Sequence, residues 1–225
     1  MNGFKLTQTL KEQALREALL TAAANDSTAE KSENRILTVE STGNHVYFYA
    51  DVDSDRCLAL LRELRYIDAE LREEYASRDL EGAGYPAVPI WLHIHSYGGS
   101  LFAGFSTADQ LRLIKSPIYT IVEGVCASAA TLIALSGSKR YILPNSFMLI
   151  HQLSGLMWGT HEQFKDEMRL QEMAMERLVR FYSTNTPTSE AAVREMLTRD
   201  TWMDAENCIE RGFVDTILAA PEIRR

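Results

Sequence analysis

Cysteine is scarce in this 225-residue chain, and the three present form no pattern. Cys57, Cys126 and Cys208 are odd in number, far apart and without metal-ligand spacing, which argues against a disulfide framework or a zinc site. They read as small buried residues in a reducing compartment, and the expected location is the cytoplasm. No apolar run approaches the ~20 residues that a membrane span needs. Lys5, Lys11, Glu12, Arg16 and Glu17 break up the first stretch, against a signal peptide or an organelle leader. Basic charge is short too: 23 Lys and Arg against 31 Asp and Glu leave a net charge of −8, which argues against a nucleic-acid partner.

What is present suits one soluble domain with a sizeable core, 46% hydrophobic and 24% charged residues. Helical spacing over residues 5–23 and a polar stretch over 25–34 predict an appended helix and a flexible linker, together residues 1–34. The folded body is expected over 35–220, followed by a tail, 221–225. Ile36–Val39 and Val46–Ala50 read as strands around a Ser41–Asn44 turn, and Asp53 or Ser54 can cap a helix reaching Ser77. After a Gly/Pro loop over 81–89 come the strand Ile90–His95, a helix over 102–114 and the strand Ile118–Val122. Two more strands, Tyr141–Leu143 and Phe147–Ile150, flank Pro144-Asn145. A long helix over 160–183 begins at Thr160, shorter ones begin at Ser189 and Asp204, and Val214–Leu218 is the last strand. Strands alternating with helices predict an α/β fold with largely parallel pairing.

The stretch Gly124-Val125-Cys126-Ala127-Ser128-Ala129-Ala130 stands between a strand and an apolar helical segment. Small residues there permit a tight turn that exposes the serine hydroxyl beside unpaired N–H groups at a helix start, or else a plain packing contact. Serine chemistry needs a base, a carboxylate that orients it and N–H donors for the oxyanion. His151 at the end of a strand, Asp200 between two helices, the backbone at Gly98-Gly99 and the N–H of Ala129 are candidates. Each has an ordinary alternative: a hydrogen-bonded histidine, an N-cap, a turn. His93 and His95 share a strand face, but a metal would need a third ligand, for which His45 and His161 are no more than unplaced possibilities, so a structural or interface role is expected and no metal.

In these local sequences the order Ser, His, Asp resembles the Clp protease proteolytic-subunit family, ClpP. His95-Ser96-Tyr97-Gly98-Gly99-Ser100 is similar to its Asn-Ser-Pro-Gly-Gly loop, and Gly124–Ala130 to its nucleophile turn. Leu143-Pro144-Asn145-Ser146 through Ile150-His151-Gln152 resembles its histidine segment. Arg199-Asp200 through Ala205-Glu206, with Arg211–Asp215, resembles its C-terminal end. The resemblance covers about residues 35–218. It implies a ClpP/crotonase-like ββα superhelix, with Ser128 as nucleophile, His151 as base, Asp200 as orienter and the N–H groups of Gly99 and Ala129 as oxyanion hole. Gly98, Gly99 and Ser100 would bind a polypeptide substrate by backbone pairing. The family also implies a homo-oligomer of heptameric rings stacked in pairs, joined through the long helix, and an AAA+ unfoldase ATPase as partner. It implies no cofactor. Arg199 matches a position linking ring contacts to the catalytic state.

This chain departs from the family at several points. Tyr97 and Leu153 stand where proline is usual, the Ser136–Arg140 turn is shorter, the Leu64–Val88 region is longer, and residues 1–34 do not resemble the family's pore loops. Trp91 and His93 occupy positions of tyrosines in the ATPase-docking cleft. The expected function is a serine endopeptidase acting on unfolded chains or peptides. The alternatives are a non-catalytic ring subunit, a crotonase-like acyl-CoA enzyme and, with Lys139 as base, a Ser–Lys peptidase.

Overall fold

The computed structural model describes residues 39–78 and 87–218. The helix and linker expected over 1–34, the first part of the strand from Ile36, most of the 81–89 loop and the tail lie outside those residues. Strands β1 (Val39–Thr42) and β2 (His45–Phe48) form an antiparallel hairpin. Gly43, at φ +60, takes the left-handed conformation that closes the turn between them.

From β2 onward the main sheet is parallel. β3 (Ile90–Ser96), β4 (Ile118–Ala127), β5 (Lys139–Ile142) and β8 (Thr216–Ile217) follow in the order β1-β2-β3-β4-β5-β8. The helices α1 (Ser54–Arg78), α2 (Leu101–Leu111) and α3 (Ala130–Ala134) are the crossovers that parallel neighbours require. Asp53 caps α1 by accepting from Arg56 N (2.8 Å), and Ser100 caps α2. Leu60 and Leu64 of α1 and Leu132 and Ile133 of α3 are completely buried with Val46, Leu92 and Ile94 of the sheet. Each such side chain contributes about 1.5–3 kcal/mol of transfer free energy.

The sequence predicts that the fourth strand stops at Val122, whereas β4 runs on to Ala127. Its first half pairs with β5, Tyr119 to Val122 against Lys139 to Ile142. Its second half pairs with β6 (Phe147–Ile150), Val125 to Ala127 against Phe147 to Leu149. Gly124 sits at the change of partner, at φ +71, and its N–H donates to Ser146 Oγ (2.7 Å). A Cβ there would lie 2.8 Å from His95 Nδ1, so this glycine is required by both conformation and space. The turn therefore begins at Ser128 and not at Gly124.

A strand that the sequence reading did not anticipate, β7 (Thr201–Met203), adds antiparallel to β6. The long helix α4 (His161–Asn185) opens with a capping box of Thr160 and Gln163. Its first ten residues are exposed, and only Ala174, Leu178, Val179 and Tyr182 of its second half are buried. α5 (Glu190–Leu197) and α6 (Ala205–Glu210) are capped by Ser189 and Asp204. Arg140 ties the C-terminal segments together: its Nη1 donates to the carbonyls of Asn185 and Gly212, and its guanidinium pairs with Asp215. No helix among the described residues is long and apolar enough to cross a membrane.

Candidate active site

β3, β4 and β6 all run parallel and end at the same edge, so the segments after them converge where α/β folds collect their sites. Those segments carry Gly98 to Ser100, Ser128-Ala129 and His151. Ser128 has φ +54 and is the one non-glycine residue with positive φ among those described. A side chain held there costs about 1–3 kcal/mol, so its surroundings must over-determine it. They do so through the backbone. Ser128 N donates to Leu149 O (2.8 Å), and Ser128 O accepts from Thr131 N (3.0 Å) and Thr131 Oγ1 (2.6 Å).

Thr131 has a single hydroxyl proton, and it is spent on Ser128 O. Its 2.7 Å contact with Tyr182 Oη therefore has the tyrosine as donor. Tyr182 is 1% exposed, and burial pushes its phenol well up, against the smaller opposing effect of the Thr131 bond. It stays a neutral donor. A chain of two hydrogen bonds thus runs from α4 to the carbonyl of the strained serine.

The loop at Gly98-Gly99 is shaped by two contacts that exclude any Cβ. A Cβ on Gly98 would lie 2.6 Å from Ala127 O and 2.7 Å from Ser128 Cβ, and one on Gly99 would lie 2.4 Å from Val52 O. Gly99 forms a parallel bridge with Val52: Val52 N donates to Gly98 O (2.8 Å) and Ser100 N donates to Val52 O (2.7 Å). That bridge uses the groups flanking Gly99, so the N–H and C=O of Gly99 itself face the other way. Among the described residues neither Gly99 N–H nor Ala129 N–H donates a hydrogen bond. Close approach of α2 is allowed by Gly104, where a Cβ would come within 3.0 Å of Ala129 O.

Gly99, Ser100, Ser128, Ala129 and His151 line one cavity of about 270 Å³, whose far wall is the face of α4 bearing Leu170, Ala174, Leu178 and Tyr182. Ser100 caps α2, its Oγ accepting from Ala103 N (3.3 Å) and its C=O from Gly104 N (3.0 Å), and its own N–H goes to Val52 O, so its hydroxyl proton is the polar group it has left to offer. Asp200 is exposed and is not part of the cavity wall. The β6–β7 ladder pairs Met148 with Met203, Leu149 with Trp202 and Ile150 with Thr201. The ladder ends there, and His151 and Asp200 are the residues that directly follow and precede its last pair. Within the single chain the Ser128 hydroxyl, the His151 ring and the Asp200 carboxylate make no hydrogen bonds among the described residues. The cavity thus gathers Gly99, Ser100, Ser128, Ala129 and His151, Gly98 lies directly against Ser128 beside it, and Asp200 is not brought into it.

Thr131, Tyr182 and Gly104 escaped the sequence reading. Their signals were faint: a threonine in an apolar run, a tyrosine on the buried face of a long helix and a glycine inside a helix. Cys126 is completely buried, and burial pushes its thiol far above the ordinary range, which removes it as a nucleophile. His93 and His95 lie elsewhere on the sheet. His93 Nε2 is 2.9 Å from His45 Nδ1, and His93 Nδ1 is 2.7 Å from Glu123 Oε1. His95 Nδ1 donates to Glu123 O (2.7 Å). Trp91 stacks on His45 and packs edge-on against Tyr119, with Tyr47 stacked on His93, so this face is aromatic. Among the described residues no group of three or more His, Cys, Asp or Glu is placed to hold a metal.

The family model for Clp protease matches residues 82–221, which include the Gly98-Gly99 loop, Ser128, His151 and Asp200. The ATP-dependent Clp protease proteolytic subunit of Streptococcus mutans is 37% identical over 139 residues, 60% of this chain and 71% of that protein. Proteolytic subunit 1 of Protochlamydia amoebophila is 31% identical over 196 residues, 84% of this chain and 85% of its own length. Proteolytic subunit 2 of Treponema denticola is 38% identical over 155 residues, covering 67% of this chain and 77% of that subunit. With more than half of its length under the family model and a relative matched along most of both sequences, this chain belongs to the Clp protease family.

Proposed function

We propose that the chain is a serine endopeptidase that cleaves unfolded proteins or peptides inside an oligomeric chamber. One observation carries the reading: Ser128 is held at φ +54 between two undonated N–H groups, with His151 in the same cavity. In this mechanism Ser128 Oγ attacks the scissile carbonyl carbon as His151 takes the hydroxyl proton. The carbonyl oxygen becomes an oxyanion within reach of the Gly99 and Ala129 N–H groups. His151 then protonates the leaving amine as the C–N bond breaks, which leaves an acyl-enzyme on Ser128. Water, deprotonated by His151, hydrolyses that ester and restores the serine. Asp200 orients the imidazole from behind.

With its N–H given to the oxyanion, Gly99 still has its C=O, turned away from Val52, to accept from the backbone of an extended substrate, giving affinity with little dependence on side chains. Neither a metal nor a cofactor has a step in this chemistry. Hydrogen bonds not yet formed among Ser128, His151 and Asp200 favour a site completed by assembly, through contacts of α4 in paired heptameric rings and with Arg199 beside Asp200 as the link. Delivery of substrate by an AAA+ unfoldase in the cytoplasm completes the proposal, with the aromatic face at Trp91 and His93 as the docking surface.

A fluorophosphonate probe is the direct test. It should label Ser128 in the assembled protein, and Ser128→Ala should abolish both labelling and peptide hydrolysis. Unchanged hydrolysis by Ser128→Ala would defeat the proposal. Native mass measurement of the active sample should show rings, and a fully active monomer would remove the chamber. Activity that emerges only on mixing with a second, catalytic subunit would instead assign this chain a non-catalytic ring role.

A further inference from the structure

The cavity at Ser128 is not uniformly apolar along its length. Near the serine, its α4 wall is made by Leu178, Ala174 and Tyr182, all buried. At the other end the same wall presents Glu167. Apart from His151 this is the one ionisable acid or base among the residues that line the cavity, Tyr182 excepted. Positions 167, 170, 171, 174 and 178 recur at helical spacing, so they form one stripe facing the cavity.

Among the described residues the Glu167 carboxylate makes no hydrogen bond and no ion pair. Its helix neighbours three and four residues away are Gln163, Phe164, Leu170 and Gln171, none of them cationic. Gln171 is committed elsewhere, its amide directed to Met157 Sδ (3.5 Å). Lys165 on the same helix pairs with Glu162 (2.9 Å). An unpaired carboxylate at the end of an apolar trough suits a side chain with an apolar stem and a cationic head, namely lysine or arginine. Glu167 lies eleven residues from Leu178 along α4. At 1.5 Å per residue that is about 16 Å, the length of roughly five residues of extended peptide.

We propose that Glu167 is a specificity-determining residue, selecting polypeptides that carry lysine or arginine within about five residues of the scissile bond. This rests on the serine-peptidase reading of the same cavity. An acidic side chain at that position is correspondingly rejected.

The test uses the assembled full-length protein and fluorogenic peptides of one parent sequence. Arginine, its uncharged isostere citrulline, or norleucine is placed in turn at each of five positions on either side of the bond. At one or two adjacent positions kcat/KM should be about fivefold higher for arginine than for citrulline, the difference lying in KM and shrinking as salt rises. Glu167→Gln should bring that ratio to about one, and Glu167→Lys should reverse the preference towards glutamate over glutamine. A wild-type ratio near one at every position overturns the proposal, as does a ratio that survives Glu167→Gln. Failure of the peptidase reading is recognised separately, as absence of fluorophosphonate labelling and of any hydrolysis. In that event the affinity of Ser128→Ala for the same peptides, followed by fluorescence anisotropy, decides on Glu167: an arginine preference lost in Ser128→Ala/Glu167→Gln supports it, and no preference overturns it.

Discussion

Thr131→Val should weaken the protein and slow the chemistry at Ser128 together, and Tyr182→Phe should partly undo the first effect. Valine keeps the shape of threonine but removes two hydrogen bonds at once, the 2.6 Å donation to Ser128 O and the 2.7 Å acceptance from Tyr182 Oη. Tyr182 is completely enclosed, so its hydroxyl is left without a partner and without water, which costs about 1–3 kcal/mol. Tyr182→Phe alone leaves the Thr131 hydroxyl still bonded to Ser128 O and costs about 1 kcal/mol. Combining the two removes the orphaned hydroxyl, so the double variant should be less destabilised than the sum of the single ones by roughly 1 kcal/mol. Ser128 loses one of three backbone restraints on its φ of +54, and a loss of about 1 kcal/mol lowers the ratio of that conformer to its alternatives about fivefold. Urea unfolding at one fixed protein concentration measures the stabilities, and the rate of fluorophosphonate labelling measures the readiness of Ser128. Strict additivity in the cycle, or labelling of Thr131→Val at the wild-type rate, would refute the claim that this chain of bonds holds the serine.

Three further predictions follow from the same geometry. Gly98→Ala places a Cβ 2.6 Å from Ala127 O and 2.7 Å from Ser128 Cβ at a φ of +95, so peptidase activity should fall at least about a hundredfold; activity within a few-fold of wild type would show that the loop can shift freely. Burial alone would raise the Asp215 carboxyl, but the hydrogen bonds and charge of Arg140 outweigh it and hold the group below its ordinary 3.8. That stability is complete above the ordinary value and is lost as pH falls through the depressed one; Arg140→Gln should therefore lower the midpoint of urea unfolding at pH 6 and reduce the further loss between pH 5 and 3, and an unchanged acid profile would count against the clamp. Burial, helped by the neighbouring His93, holds the His45 imidazole below its ordinary 6.5. The unfolded chain then binds more protons below that value, so stability should decline as pH falls from about 6.5, and His45→Gln should flatten that part of the profile in urea titrations.

Helix starts were legible from local chemistry. Thr160 with Gln163, Ser189 and Asp204 each satisfy the N–H groups of their own first turn, an interaction within four residues that needs no tertiary partner. The Gly98-Gly99 loop and His151 were legible as well, because each follows a run of β-forming residues that marks where its strand ends, and Ser128 was legible from the small residues around it. For Asp200 the sequence left an orienting carboxylate and an ordinary N-cap both open, since Thr201–Met203 is too short to announce a strand and exists only because β6 offers it an edge. The end of the fourth strand was misplaced for a related reason. A glycine normally stops a strand, and only the switch of partner from β5 to β6 explains why β4 continues past Gly124.

By itself the sequence determined the alternation of strands and helices, the caps and the small residues that a tight turn at Ser128 demands, all of which act over a few residues. Tertiary structure decided what meets what. The left-handed serine is tolerable only because Leu149 and Thr131 hold its backbone, and Tyr182, fifty-one positions from Thr131, supports that hold from another helix. The bare glycines at 98 and 99 are required only because Ala127 and Val52 approach them, and Glu167 faces the same cavity as Ser128 only because α4 packs along it. Contacts across such separations depend on how the layers pack, and packing is a property of the whole fold that no local stretch of sequence encodes.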